Sequence, residues 1–226
     1  AGAGAGKTEF LAQKAAYLLQ TGICPAPKRI LAISFKKDAA RNLAERVAKR
    51  CPRDQARRFD SMTFDAFTKG LLDRFRPAIP EPFNAPGTYQ IVTPFRRDYA
   101  DFLEHHGYHG VSAQQLERRI PLTDLPINQS NGSEVDRALA DYWYKQFFGG
   151  DEISLSFPMI NRLVKLLLQK NLHIRRALQA TYPIVFLDEY QDTTYAQYDM
   201  LLTAFDVSNA VFTAVGDDKQ RIMGWA

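Results

Sequence analysis

Lys7 and Thr8 stand behind three glycines in the opening stretch AGAGAGKTEF. Gly2, Gly4 and Gly6, with Ala5 between the last two, can take the left-handed backbone that turns successive N–H groups onto phosphate oxygens. Lys7 offers a point charge for β- and γ-phosphates, and Thr8 a hydroxyl for Mg²⁺. Phe10, Leu11, Ala15, Leu18 and Leu19 follow at helical spacing, so a helix aims its positive end at the same place. Ala1 holds the position where the usual pattern begins with Gly, a mild departure. A plain small-residue tail is the alternative, and it does not account for the helical pattern behind Gly-Lys-Thr.

A second stretch with chemistry in it is IVFLDEYQDT. Four apolar residues drive a strand into a sheet, Asp188 emerges at its carboxyl end, and Glu189 follows. Two adjacent carboxylates behind a buried strand are costly unless a cation or donor meets them. The phosphate loop supplies that need. Asp188 is then placed to hold Mg²⁺ through water, and Glu189 to activate an attacking water. The alternative is a strand end with two solvated acids. The cluster His105, His106 and His109 lacks a Glu or Cys at metal spacing and reads as a helix end before a glycine loop.

These side chains need a scaffold. RILAISF, PIVFLDEY and AVFTAVGDD read as buried strands of a parallel sheet, each ending in polar residues. Ligands of such sheets bind outside the carboxyl ends, which is where Ser34, Asp188 and Asp217 fall. Helical patterns begin after Asp38, Thr63, Thr93-Pro94, Ser112, Ser133 and Ser156, most with a plausible cap. The proline-rich RPAIPEPFNAPG reads as a boundary, and RIPLTDLPINQSNGS as a loop. The spacing predicts an α/β nucleotide-binding domain over residues 1–76 and 181–226, interrupted by a mainly helical insertion over 77–180.

Charge is uneven along the chain. Residues 1–76 hold 16 Lys/Arg against 7 Asp/Glu, residues 77–180 hold 11 of each, and residues 181–226 hold 2 against 7. A basic first third fits a polyanion, and an acidic last stretch fits metal-ion chemistry; solvated helix faces explain either equally well. No apolar run is long enough to span a membrane and no leader is visible, so a soluble cytoplasmic protein is expected. Cys24 and Cys51 have no metal spacing and fit thiols of a reducing compartment.

DEYQDT resembles the Walker B signature of UvrD/Rep-type superfamily 1 helicases, and the likeness continues in order along the chain. AGAGAGKT resembles their motif I, ILAISFKKDAARNLAERV motif Ia, MTFDAFTKGLL the Thr-Phe-His-Ser-Phe motif, and VGDDKQRIMGW motif III. Between these motifs the helical stretch matches only in position. The resemblance implies a P-loop, RecA-like fold with an inserted helical subdomain, and a motor that runs 3′ to 5′ on single-stranded DNA at the expense of ATP.

The resemblance also implies roles. Gly2, Gly4, Ala5, Gly6, Lys7 and Thr8 would cradle ATP, Thr8 and Asp188 would hold Mg²⁺, and Glu189 would be the catalytic base. Gln220 would sense the γ-phosphate, while Gln191 and Asp192 would orient the metal site. Ser34, Phe35, Thr63, Phe64 and Trp225 would contact single-stranded or duplex DNA, with aromatic faces stacking on bases. Core packing is the competing role for Phe35 and Phe64, and a domain interface for Trp225. Asp65 stands where the family usually has His, Met223 where Tyr is usual, Arg221 where Ser is usual, and Ser34 where Thr is usual. The family places a strand before motif I and a second RecA-like domain after motif III. This stretch is therefore expected to be an interior fragment, inactive alone. The alternatives are a non-catalytic DNA- or protein-binding relative and the motor part of a helicase–nuclease.

Overall fold

In a computed structural model that describes residues 6–84, 88–127, 132–150, 152–205 and 210–217, the chain forms two compact units. Ala1–Phe67 with Asn171–Ala226 make the first, and Thr68–Lys170 the second. The elements run α1 (Lys7–Gln20), β1 (Ile30–Ser34), α2 (Lys37–Ala48), α3 (Arg53–Ala56), β2 (Phe59–Thr63) and α4 (Phe64–Phe75). There follow β3 (Tyr89–Ile91), α5 (Arg96–His105), α6 (Ala113–Arg119), α7 (Glu134–Phe148), β4 (Ile153–Leu155) and α8 (Phe157–Lys170). The chain continues through α9 (Leu172–Thr181), β5 (Ile184–Leu187), α10 (Tyr195–Ala204) and β6 (Val211–Ala214).

A parallel sheet in the order β2-β1-β5-β6 organises the first unit. Strands β1 and β5 are buried along their whole length, as continuous apolar runs demand of parallel strands covered on both faces. Three of the four strands are legible in the sequence. The fourth, β2, reads FDSMT, is half-buried beyond Phe59, and carries neither an apolar run nor a clean alternation. Helix α1 packs Leu11, Ala12, Ala15 and Leu19 against Ile30, Ala32, Leu43, Val47 and Phe186. Each fully buried Leu contributes about 1.5–3 kcal/mol. Phe10, expected on this apolar face, is 52% exposed. Glu9 ties α1 to α2 by accepting from Arg46 at 2.7 Å and Arg50 at 2.5 Å.

At the amino end of the sheet, Asp60 accepts from Arg29 through both carboxylate oxygens and from the Tyr182 hydroxyl at 2.8 Å. Burial, then the Asp60 hydrogen bond and charge, push Tyr182 from 10.0 up to about 12. A raised folded-state value stabilises fully below pH 10 and is lost as pH climbs towards 12. Tyr182→Phe should therefore cost about 1 kcal/mol near neutral pH, discounted for the partly exposed ring. That gap should close between pH 10 and 12 in urea unfolding; a gap constant across the window would remove the hydrogen bond from the account.

In the second unit, β3 and β4 pair in parallel with Tyr89 opposite Ile153. Its core is aromatic: Phe83 meets Trp143 and Phe147 edge-on, and Phe102 meets Tyr142 at 5.2 Å. Ser112 with Gln115 and Ser133 with Asp136 form the capping boxes that start α6 and α7. The helix expected from Thr93-Pro94 begins later, at Arg96, because Asp98 reaches back to the backbone N–H of Phe95. Among the described residues no helix is long and apolar enough to cross a membrane.

Candidate functional site

Strand register builds the site. Ser34 pairs with Thr63, Ile33 with Leu187, and Leu187 with Ala214, so the next residues of three strands emerge along one edge of the sheet. Asp188 donates its N–H to Ile33 O at 2.9 Å, which holds the carboxylate at that edge. Helix α1 brings its first turn to the same place. Its cap, Gly6, has φ 78°, a conformation glycine adopts without strain, and accepts from Phe10 N–H at 2.8 Å. Lys7 and Thr8 are therefore the first residues of a helix, and their side chains reach the two acids that follow β5.

Lys7 Nζ lies 3.1 Å from Glu189 Oε2. Glu189 itself has φ 52° and ψ 49°, a backbone strained for a residue with a Cβ. Three contacts hold it there. Its N–H donates to Asp188 Oδ1 at 3.1 Å, Gln191 Nε2 donates to its Oε2 at 2.7 Å, and Tyr190 N–H donates to Val215 O at 2.9 Å. Burial pushes the Glu189 carboxyl up, but the Gln191 amide and the Lys7 ammonium outweigh it and hold the group below its ordinary value. Asp188 differs. Burial, and then the Glu189 charge, push its carboxyl up despite Lys7 and the Thr8 hydroxyl bond. Its Oδ2 is buried without a hydrogen-bond partner. An orphaned carboxylate oxygen beside a hydroxyl is a donor set that suits a hard divalent cation, so these residues fit Mg²⁺.

Gln191 spans two elements. Its Nε2 holds Glu189, while its Oε1 accepts from Asp217 N–H at 2.9 Å, in the turn after β6. Gly216 makes room for it, since a Cβ there would sit 2.7 Å from Gln191 Oε1.

Next to this cluster, in the same unit, a cavity of about 60 Å³ is lined by Ser34, Phe35, Thr63, Phe64, Asp65, Thr193 and Gln197. Phe35 is half exposed, whereas Phe64 is 5% exposed and packs. Ser34 is buried with its Oγ unpartnered, and Thr63 Oγ1 accepts from Ala66 N–H, capping α4. Burial pushes the Asp65 carboxyl up.

The structure thus brings Gly6, Lys7, Thr8, Asp188, Glu189 and Gln191 into one cluster and Ser34, Phe35, Thr63 and Phe64 into the adjoining one. Gly2, Gly4, Ala5, Gln220 and Trp225 lie outside the described residues, as do Arg221 and Met223. Sequence reasoning missed Gly216, Thr193 and Gln197. A signal for the last was present: Thr194-Tyr195-Ala196-Gln197 is a capping box, and it starts α10.

The model of the UvrD/REP helicase N-terminal domain matches residues 1–226. The ATP-dependent DNA helicase Rep of Escherichia coli (strain K12) is 31% identical over 236 residues, covering 100% of this chain and 34% of Rep. The ATP-dependent DNA helicase PcrA of Staphylococcus aureus (strain Mu50) is 28% identical over 241 residues, covering 100% of this chain and 31% of PcrA. The chain therefore spans about a third of the length of these relatives. A match across the whole chain, over a parallel sheet whose carboxyl edge gathers Lys7, Thr8, Asp188 and Glu189, places the chain in the UvrD/REP helicase N-terminal domain family.

Proposed function

We propose that this chain is the ATP-binding part of the first motor domain of a 3′-to-5′ DNA helicase or translocase. The observation that carries the reading is the convergence of Lys7, Thr8 and the orphaned Asp188 Oδ2 on one side of Glu189. Gly2, Gly4, Ala5 and Gly6 cradle phosphate with their N–H groups, and Lys7 neutralises it. Thr8 and Asp188 hold Mg²⁺, which when bound offsets charge on the phosphate oxygens. Glu189, kept ionised by Gln191 and Lys7, accepts a proton from the attacking water through Oε1 or Oε2. Its pairing with Lys7 must loosen for either group to do this work. Gln220 reads the γ-phosphate. Ser34, Phe35, Thr63, Phe64 and Trp225 hold unpaired DNA, Phe35 by stacking and the buried Phe64 by shaping the cavity floor.

Turnover by this chain alone is negligible. It spans about a third of its relatives, and hydrolysis of a nucleotide held between two motor domains needs both. Calorimetric titration with Mg·ATP tests the reading: saturable binding with negligible hydrolysis is expected. Absence of binding, with DNA binding retained, would replace it by a non-catalytic DNA-binding relative. A downstream nuclease in the whole protein is compatible with the same site.

A further inference from the structure

The first unit carries a charge cluster that the candidate site does not use. Between α2 and β2 the sequence reads KRCPRDQARR, with Lys49, Arg50, Arg53, Arg57 and Arg58 against a single acid, Asp54. Five positive charges less one give +4 in this stretch, which equals the net charge of the whole chain, +4. Residues 1–76 carry 16 less 7, or +9, and this stretch of ten residues supplies +4 of it.

Its place in the fold separates it from the candidate site. Strands β1 and β2 run parallel with Ile30 opposite Phe59 and Ser34 opposite Thr63. The cluster precedes Phe59, at the amino edge, while the candidate site lies at the carboxyl edge. Four strand steps at about 3.3 Å each put them about 13 Å apart or more. That exceeds the screening length of about 8 Å at physiological salt, so steering phosphate into the candidate site does not explain the cluster. Arg58 Nη1 donates to Cys24 O at 2.8 Å and Lys28 O at 3.2 Å, which pins the loop before β1, and with it Lys28, against the cluster.

Arginines that serve the fold of this unit are paired: Arg29 with Asp60, and Arg46 and Arg50 with Glu9. Lys28, Lys49, Arg53 and Arg57 are exposed and have no carboxylate partner among the described residues. Arg57 N–H donates to Arg53 O at 3.1 Å, so the two residues stand one helical turn apart, at the first position and the C-cap of α3. Between Lys49 and Arg58 no large apolar side chain is exposed, and in the loop that Arg58 pins Ile23 alone is, among the described residues. A protein-docking patch needs an apolar centre, whereas a phosphate backbone needs cations, above all guanidinia that meet it through two N–H groups.

We propose that Lys28, Lys49, Arg53 and Arg57 form a second contact surface, for a nucleic-acid phosphate backbone, at the amino edge of the sheet. It stands independently of the nucleotide reading, and failure of Mg·ATP to bind leaves it untouched. The test is fluorescence anisotropy of a labelled single-stranded oligonucleotide across a salt series. The chain is compared with Lys49→Ala/Arg53→Ala/Arg57→Ala and, separately, with Phe35→Ala. Each lost phosphate contact removes about 0.7 from the slope of log affinity against log salt. The triple variant should bind about tenfold or more weakly at low salt, with a slope shallower by about 2. Phe35→Ala should weaken binding with its slope unchanged, since stacking releases no counterions. Thermal unfolding of the triple variant should match the parent, because the three side chains are exposed. If it does not, Arg53→Ala/Arg57→Ala reads the same slope change at about 1.4. An unchanged slope, or no oligonucleotide binding by the parent, overturns the proposal. A parent that instead binds polyglutamate overturns it in favour of an acidic protein partner.

Discussion

Lys7→Ala should lower the affinity for Mg·ATP at least about 100-fold, the equivalent of about 3 kcal/mol. A hydrogen-bonded charge on phosphate contributes about 1.5–3 kcal/mol, and truncating one partner of a close charge pair costs about 2–5. Two features put Lys7 at the upper end. Its side chain is 10% exposed, so solvent screens it poorly. It also opposes Asp188 and Glu189, and without it these acids would face the polyphosphate with no side-chain cation between them. Glu189→Gln separates binding from chemistry. It removes a negative charge 3.1 Å from Lys7 and leaves the phosphate loop intact. Mg·ATP affinity should be kept or improved, while turnover in the full-length protein falls about 10²–10⁴-fold. Equal loss of binding in both variants would show that Lys7 acts by holding Glu189 and not by holding phosphate. Calorimetric titration of the two variants beside the parent decides between these.

How much of this was legible beforehand follows from which residues carry periodic or chemical signals. Strands β1 and β5 announce themselves because buried parallel strands must be apolar throughout, and their polar ends then locate the site. Strand β6 is legible as an apolar run too, but the burial expected of it is not found: it lies at the side of the described sheet, paired only with β5, and Val211 is 59% exposed. Gly-Lys-Thr and Asp-Glu are legible because few other roles suit those residues after a strand or before a helix. The second strand is not legible: FDSMT shares one face with the core and lies at the side of the described sheet, so no run or alternation survives. Phe64 shows the limit in another way. An aromatic beside a threonine reads as a base platform, yet its 5% exposure comes from the turn into α4, which no local pattern encodes. The Gln191 bridge is hidden for the same reason. Its partners Glu189 and Asp217 are brought together only when β5 and β6 pair, with Leu187 opposite Ala214.

That bridge carries the second large effect, at Gly216. Alanine there would place a Cβ 2.7 Å from Gln191 Oε1 and 3.3 Å from Gln191 N. The backbone contact can give by a few tenths of an ångström, but the amide must leave. Its departure breaks the 2.9 Å bond from Asp217 N–H and the 2.7 Å bond to Glu189 Oε2. An unmet buried donor costs about 1–3 kcal/mol, and overpacking a filled site a similar amount. Gly216→Ala should therefore destabilise by about 2 kcal/mol. Gln191→Ala, which leaves the same donor unmet without the clash, should cost about 1–2 kcal/mol. In the double variant the new methyl enters space the amide has left, so it should cost little more than Gln191→Ala alone. The cycle then shows a coupling of about 1–2 kcal/mol in urea unfolding. Additive losses would mean that Gly216 is required for its backbone and not for the room it leaves Gln191. Glycine in this turn is a steric condition on how Glu189 is held. In the full-length protein both single variants should lower turnover more than Mg·ATP affinity, because Lys7 and Thr8 keep their places while Glu189, the proposed general base, loses its orienting amide.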